Sequence, residues 1–222
     1  AKIRPLGAKV HLLPVGDSIE ETLAAMDRVW AEGPTPHLFV MTGRDADARL
    51  SPDRTSWFRR RWRGVLLPYL VCQRWYMRIS GTPLANRASL VATTSLGGDF
   101  GFTTGATAPE GGAIAGLVKA IHVETTLKNW RDVKLKVIDA PTELPSEELA
   151  AGILRELATD RRDVEVAFTS NGRHVVRAFA EPAPAAKRSI TRGGTWVVTG
   201  GARGITAAAA LELGRRFGLK LH

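Results

Sequence analysis

The sequence predicts an α/β protein: one unit in which strands and helices alternate, followed by the first strand and helix of a second. Three observations carry this. Short apolar runs alternate with helix-periodic stretches from Val10 to Ala158. Asn171-Gly172 between two apolar runs signals a type I′ hairpin, hence an antiparallel edge. Near the C-terminal end, Trp196-Val-Val-Thr-Gly-Gly-Ala-Arg-Gly-Ile-Thr206 reads as an apolar strand, a glycine turn and the opening of an alanine-rich helix.

In chain order, Val10–Leu13 reads as a strand and Ile19–Trp30 as a helix, with Ser18 and Glu21 at capping-box spacing. Gly33-Pro34 ends that helix, and Leu38–Met41 is a buried strand running into a loop with Gly43, Asp45 and Asp47. The helical stretch from Thr55 to Arg78 contains Gly64 and Pro68, so it is either two helices or one bent helix. Leu90–Thr94 is the next strand, and a glycine-rich loop from Gly97 to Gly112 leads to a helix over Ala113–Val123. Lys134–Ile138 alternates as a strand ending at Asp139, and Ser146 is placed to cap a helix reaching Ala158. Val164–Phe168 and Val175–Phe179 flank the hairpin signal. Glu181-Pro-Ala-Pro-Ala-Ala-Lys-Arg188 has two prolines and no apolar periodicity, so it reads as a linker. The expected organisation is residues 1–181, a linker over 182–194 and a second unit over 195–222.

A chain of 222 residues suffices for one domain and part of another. Ala1 in place of Met, and an apolar strand pattern still running at Leu219–His222, read as ends cut from a longer polypeptide. The lone Cys72 excludes an internal disulfide and fits a reducing compartment, and no apolar run approaches the roughly 20 residues that span a bilayer. The expectation is a soluble, cytoplasmic protein without a membrane partner. A formal charge of +9 favours acidic partners without choosing among them. The densest basic cluster, Trp57-Phe-Arg-Arg-Arg-Trp-Arg63, could stack single-stranded nucleic acid or face an acidic protein. Helical spacing instead sets Phe58, Trp62, Val65 and Leu66 along one core-facing side with the arginines solvated, so no nucleic-acid partner is expected.

The candidate site is the glycine turn: Thr199, Gly200, Gly201, Ala202, Arg203, Gly204 and Ile205. Glycines let a backbone approach a pyrophosphate, and the first turn of the following helix offers unpaired N–H groups and the positive end of its dipole. The order of elements, with Ala115-Gly-Leu-Val-Lys-Ala-Ile-His-Val-Glu124, Lys134–Asp139, Arg162–Phe168 and Arg173–Arg177 before this turn, resembles the ketoreductase region of multidomain polyketide and polyunsaturated-fatty-acid synthases. The resemblance implies a truncated Rossmann-like structural subdomain bracing the first strand and helix of a catalytic Rossmann fold of the short-chain dehydrogenase/reductase type. It also implies NADPH as cofactor, with Arg203 placed where a basic residue favours a 2′-phosphate, and an acyl carrier domain presenting a phosphopantetheine-bound β-ketoacyl chain. Thr206 departs from the glycine most members carry there. The family's serine, tyrosine and lysine have no counterpart in this chain: Tyr69 and Tyr76 lie upstream, neither with a lysine four positions on, so no residue is assigned as catalytic. The resemblance further implies an apolar face and an open sheet edge where the rest of the catalytic fold docks, and hence self-association. A scaffold or docking module with a vestigial glycine turn is the alternative.

Other constellations fail on spacing. His122-Val-Glu124 lacks the Cys-x-x-Cys half of a zinc deaminase signature, and Thr94-Ser-Leu-Gly97 lacks the first glycine of a nucleophile elbow. Asp45 and Asp47 lie beside Arg44 and Arg49 as solvated loop acids, and the five histidines form no metal set. Asp139 stands where ribose-binding acids occur, but without a glycine loop before it at the proper spacing a turn-capping role is expected.

Overall fold

The first helix, α1 (Ile19–Ala31), begins where Ser18 leaves the extended conformation; its hydroxyl accepts from the Glu21 N–H at 3.1 Å. In the computed structural model, residues 7–16, 18–44, 53–103, 108–182 and 189–222 are described. The chain divides into two units, Ala1–Arg177 and Ala178–His222. Asp45, Asp47, the stretch 104–107 of the Gly97–Gly112 loop, and linker residues 183–188 lie outside the described residues.

The first unit is α/β. Strands β1 (His37–Gly43), β2 (Ser89–Thr94), β3 (Lys134–Asp139), β4 (Glu165–Thr169) and β5 (Gly172–Val175) lie side by side in chain order. The first four are parallel and β5 is antiparallel to β4. All six residues of β2 are buried, as a central parallel strand covered on both faces requires. Leu90, Ala92, Leu135 and Val137 face a core built with Met26 of α1, Trp75 and Ile79 of α3 (Leu67–Ile79), and Ile114, Val118 and Ile121 of α4 (Glu110–Leu127). Val91, Ile138 and Val166 point to the other face and pack on Leu149 and Ile153 of α5 (Ser146–Ala158).

Several local expectations are corrected. Val10–Leu13 forms no strand; the described residues 8–16 are irregular. For the 55–78 stretch the structure selects one of the two readings, a single helical run: α2 (Arg54–Arg61) passes through a π turn (Trp62–Leu66) into α3. The π turn carries the Leu67 N–H back to the Trp62 carbonyl, five residues away, just before Pro68, which has no N–H to donate, and the helical run continues through the proline. Phe58, expected on a core face, is 45% exposed, and α2 buries none of its residues. Ser146 does not cap α5; it is the first helical residue, with Pro145 before it and no side-chain capping bond. The hairpin pairs Thr169 with Gly172, so Ser170 and Asn171 form the turn and the second strand ends at Val175, leaving Phe179 84% exposed. Neither turn residue has positive φ, while Gly172 has +104°; the left-handed conformation sits one residue later than a type I′ turn demands.

Alternation in Lys134–Ile138 suggests a solvent-facing side, yet Lys136 is 2% exposed because α5 covers that face. Its Nζ donates to the carbonyls of Arg161 (2.8 Å) and Asp163 (2.6 Å) and lies 3.5 Å from Glu156, itself 3% exposed. Glu156 accepts from Arg173 through both carboxylate oxygens, and Arg173 and Arg177 also donate to Asp163, at 2.8 and 2.5 Å. Hydrogen bonds from Arg173 and Arg177 hold the Asp163 carboxyl at a pKa of about 2, below its ordinary 3.8. In the unfolded chain this carboxyl takes up its proton first, so its contribution is present above about pH 4 and is lost as pH falls through about 2. Urea midpoints measured from pH 5 downward should fall through that window, and Asp163→Asn should flatten the fall; an equally steep fall in the variant would count against this assignment.

Candidate functional site

Two glycine-rich turns follow strands in this protein, and they differ in what fills them. In open parallel sheets, ligands bind outside the carboxyl ends of strands, so both turns stand where a site is expected.

The first follows β2. Positive φ at Gly97 (92°), Gly98 (82°), Phe100 (55°) and Gly101 (77°) curls the backbone so that its N–H groups point inward. The carboxylate of Asp139, at the end of β3 and fully buried, occupies that concavity. One oxygen accepts from Thr94 Oγ1 and the Leu96 N–H, each at 2.6 Å; the other accepts from the N–H groups of Gly98 (2.7 Å) and Phe100 (3.0 Å). Arg44, next after β1, spans the same strand ends, donating to the carbonyls of Thr94 (3.3 Å), Ala140 (2.9 Å), Pro141 (3.0 Å) and Thr142 (3.4 Å). Burial draws its pKa down while Asp139 and Glu143 oppose that shift, so the guanidinium serves the fold as an internal counter-ion. Asp139 therefore caps the turn, as the sequence suggests, and an anion-binding concavity of the first unit is filled by the chain's own carboxylate.

The second turn lies in the second unit. β6 (Thr195–Trp196) pairs in parallel with β7 (Lys220–Leu221), and the pairing extends one step as Val198 N–H donates to His222 O at 2.7 Å. α6 (Gly204–Phe217) joins them and ends at Gly218, which has φ 61°. Gly214 allows the helix to approach Leu221: a Cβ there would lie 3.1 Å from Leu221 Cδ1. Between β6 and α6, Gly200 and Gly204 take φ of 75° and 70°, and a Cβ on Gly201 would meet Val198 Cγ1 at 3.0 Å. Arg203 is the extended residue before the helix, and no side chain caps the first turn. Thr199, Gly200, Ala202, Arg203, Gly204 and Ile205 are exposed and Gly201 is half-buried, so the seven candidate residues form one accessible turn at a helix N-terminus. Uncapped N–H groups beside an arginine can hold an anion; among the described residues, no carboxylate fills this turn as Asp139 fills the first.

The remaining candidates scatter. Ser95 is half-buried, and its hydroxyl oxygen, shielded from solvent, finds no partner among the described residues. His122 and Glu124 are exposed on α4, and the His122 carbonyl accepts from the hydroxyls of Thr125 and Thr126. Tyr76 stacks on Trp130 with centroids 5.2 Å apart, and Tyr69 is 46% exposed. Cys72 is buried, which pushes its thiol up to about 12 and makes it a poor nucleophile. Among the described residues, no three metal-ligating side chains converge, and no helix is long and apolar enough to cross a membrane.

No protein-family model matches the chain. Part of the chain is similar to a polyunsaturated fatty acid synthase. Over 139 residues it is 35% identical to one large polypeptide of the polyunsaturated fatty acid synthase of a Thraustochytrium species, a match covering 59% of this chain and 5% of that polypeptide. The likeness supports reading the chain as a region of a multidomain synthase of the polyunsaturated-fatty-acid or polyketide type. It spans only a small share of the relative's length.

Proposed function

We propose that this chain is the front part of a β-ketoacyl reductase region: a structural subdomain followed by the first strand, phosphate turn and helix of an NADPH-binding catalytic subdomain. The observation that carries the reading is the contrast between the two turns. The first is closed by Asp139; the second presents an uncapped helix start with two left-handed glycines and Arg203 beside it. Similarity to a segment of a fatty acid synthase polypeptide supports the setting, and the order of elements supports the reductase.

In this reading the residues fit a pyrophosphate: Gly200 and Gly204 keep the turn free of Cβ atoms, the N–H groups of the first helical turn donate to phosphate oxygens, and Arg203 pairs with a 2′-phosphate. Bound there, NADPH would provide hydride chemistry for reduction at the β-keto carbon of a carrier-bound acyl chain. This chain's own part is to bind and orient the phosphates; none of its residues is assigned to proton donation. Two features of the second unit agree with a fold that continues. Its sheet has two strands. Among its described residues only Ala210 is buried, while Val197, Ile205 and Leu211 are 81%, 90% and 57% exposed.

The test uses the protein extended through the rest of its reading frame. It should oxidise NADPH in the presence of a β-ketoacyl thioester. Gly204→Val, which forces a β-branched residue into left-handed backbone, should weaken NADPH binding by about tenfold or more with unchanged circular dichroism. Arg203→Ala should cut the preference for NADPH over NADH by about tenfold. An extended protein that binds no nicotinamide nucleotide, or a Gly204→Val protein that binds it unchanged, would overturn the proposal.

A further inference from the structure

Helix α2 is used by nothing described so far. Its eight residues include four arginines and no carboxylate, and none of them is buried. Arg60 is committed inward: its guanidinium, 9% exposed, donates to Glu110 at 2.6 Å at the start of α4. Gly64, in the π turn, permits that approach, because a Cβ there would meet Glu110 Cβ at 2.8 Å. The helix is thus fixed against the body of the first unit, with its remaining side chains facing solvent.

Those side chains form one patch. Trp57 and Phe58 are 53% and 45% exposed and touch edge to face, with centroids 5.0 Å apart and planes at 75°. The Arg61 guanidinium lies 5.9 Å over the Trp57 ring and that of Arg54 lies 5.4 Å over Phe58. Arg59 is exposed beside them. Among the described residues, no carboxylate lies within ion-pair distance of Arg54, Arg59 or Arg61; the N-cap carboxylate of Asp53 feels the charge of Arg59 without pairing with it at that distance. The patch is therefore apolar at its centre, cationic at its rim, and pre-ordered by cation–π contacts that lower the entropy lost on binding.

The geometry points to α2 as a docking surface for an acidic amphipathic helix of another protein or domain, with apolar side chains covering Trp57 and Phe58 and carboxylates pairing with Arg54, Arg59 and Arg61. Single-stranded nucleic acid fits less well. Base stacking needs open ring faces, and here each ring has a guanidinium over one face while the edge-to-face contact between the rings covers a face of one of them. A carboxylate-bearing surface needs what is presented: forked donors around an apolar centre. This inference is independent of the phosphate turn in the second unit.

The experiment titrates the protein with a designed helical peptide of about 20 residues bearing leucines on one face and glutamates beside them. The comparison probes are the same peptide with glutamine for glutamate, an oligouridylate of similar charge, and phosphatidylserine-containing vesicles. Binding at about 0.1 M salt should fall at least about tenfold in the Arg54→Gln/Arg59→Gln/Arg61→Gln protein and in Trp57→Ala/Phe58→Ala. A control removing the same charge elsewhere, Arg131→Gln/Arg161→Gln/Arg162→Gln, should change it less than about twofold. Thermal unfolding of each variant separates loss of binding from loss of fold, since all the altered side chains are exposed. Equal weakening in the control triple, indifference to loss of the two rings, or tighter, α2-dependent binding of the oligouridylate or the vesicles would each overturn the inference.

Discussion

Replacing Asp139 with asparagine is expected to lower the stability of the first unit by about 3 kcal/mol or more, although the side chain keeps its shape. The carboxylate is fully buried and accepts four hydrogen bonds, two at each oxygen. An amide has one accepting oxygen. Whichever way it turns, its NH2 group meets two donors, either Thr94 Oγ1 and the Leu96 N–H or the N–H groups of Gly98 and Phe100. Each buried donor left without an acceptor costs about 1–3 kcal/mol, and Arg44 loses the anion that offsets its burial. The effect should localise: hydrogen exchange at Leu96, Gly98 and Phe100 should accelerate before that of β2 and β3. Urea unfolding of the variant checks the magnitude, and a loss under about 1 kcal/mol would show that the carboxylate does not hold the turn.

The turn illustrates what was legible in the sequence. Glycines at 97, 98 and 101 and an acid at the end of the next strand could be read as a loop and a capping residue. That the Thr94 hydroxyl and three N–H groups of the loop converge on one carboxylate could not, because register between β2 and β3 decides it: Thr94 pairs with Asp139. The strand–helix alternation was readable because parallel strands are short apolar runs, and β1 to β4 lie where those runs lie. Errors arose where tertiary contact overrode local pattern. Lys136 occupies an alternate position that reads as solvent-facing, yet α5 covers it and two carbonyls and Glu156 satisfy its ammonium. Phe58 follows helical spacing, yet spacing cannot reveal whether another element lies against that side. Val10–Leu13 has strand composition without a sheet partner. The glycine turn between β6 and α6 is legible as a turn because its signal is local: glycines at set intervals between a strand and a helix.

Gly43→Ala is expected to cost a similar amount, about 3 kcal/mol, for a different reason. β1 carries one more residue than β2 over the same length: Val40 pairs with Ala92 and Gly43 with Thr94, so Met41 and Thr42 together oppose Thr93. This bulge brings Gly43 so close to β2 that a Cβ would be driven into the Thr93 carbonyl oxygen, with Ile114 Cδ1 3.3 Å away on the other side. A backbone carbonyl in a parallel ladder cannot turn aside as a side chain can, so the end of β1 must move. The next residue is Arg44, whose guanidinium reaches the carbonyls of Thr94, Ala140, Pro141 and Thr142 from that position. Displacing β1 therefore breaks the span across the strand ends as well as the local packing. A double-mutant cycle separates the two contributions: in an Arg44→Ala background, Gly43→Ala should cost less by at least about 1 kcal/mol, because the span is already gone. Strict additivity would mean that the close approach at Gly43 serves packing alone and that Arg44 reaches its carbonyls without it.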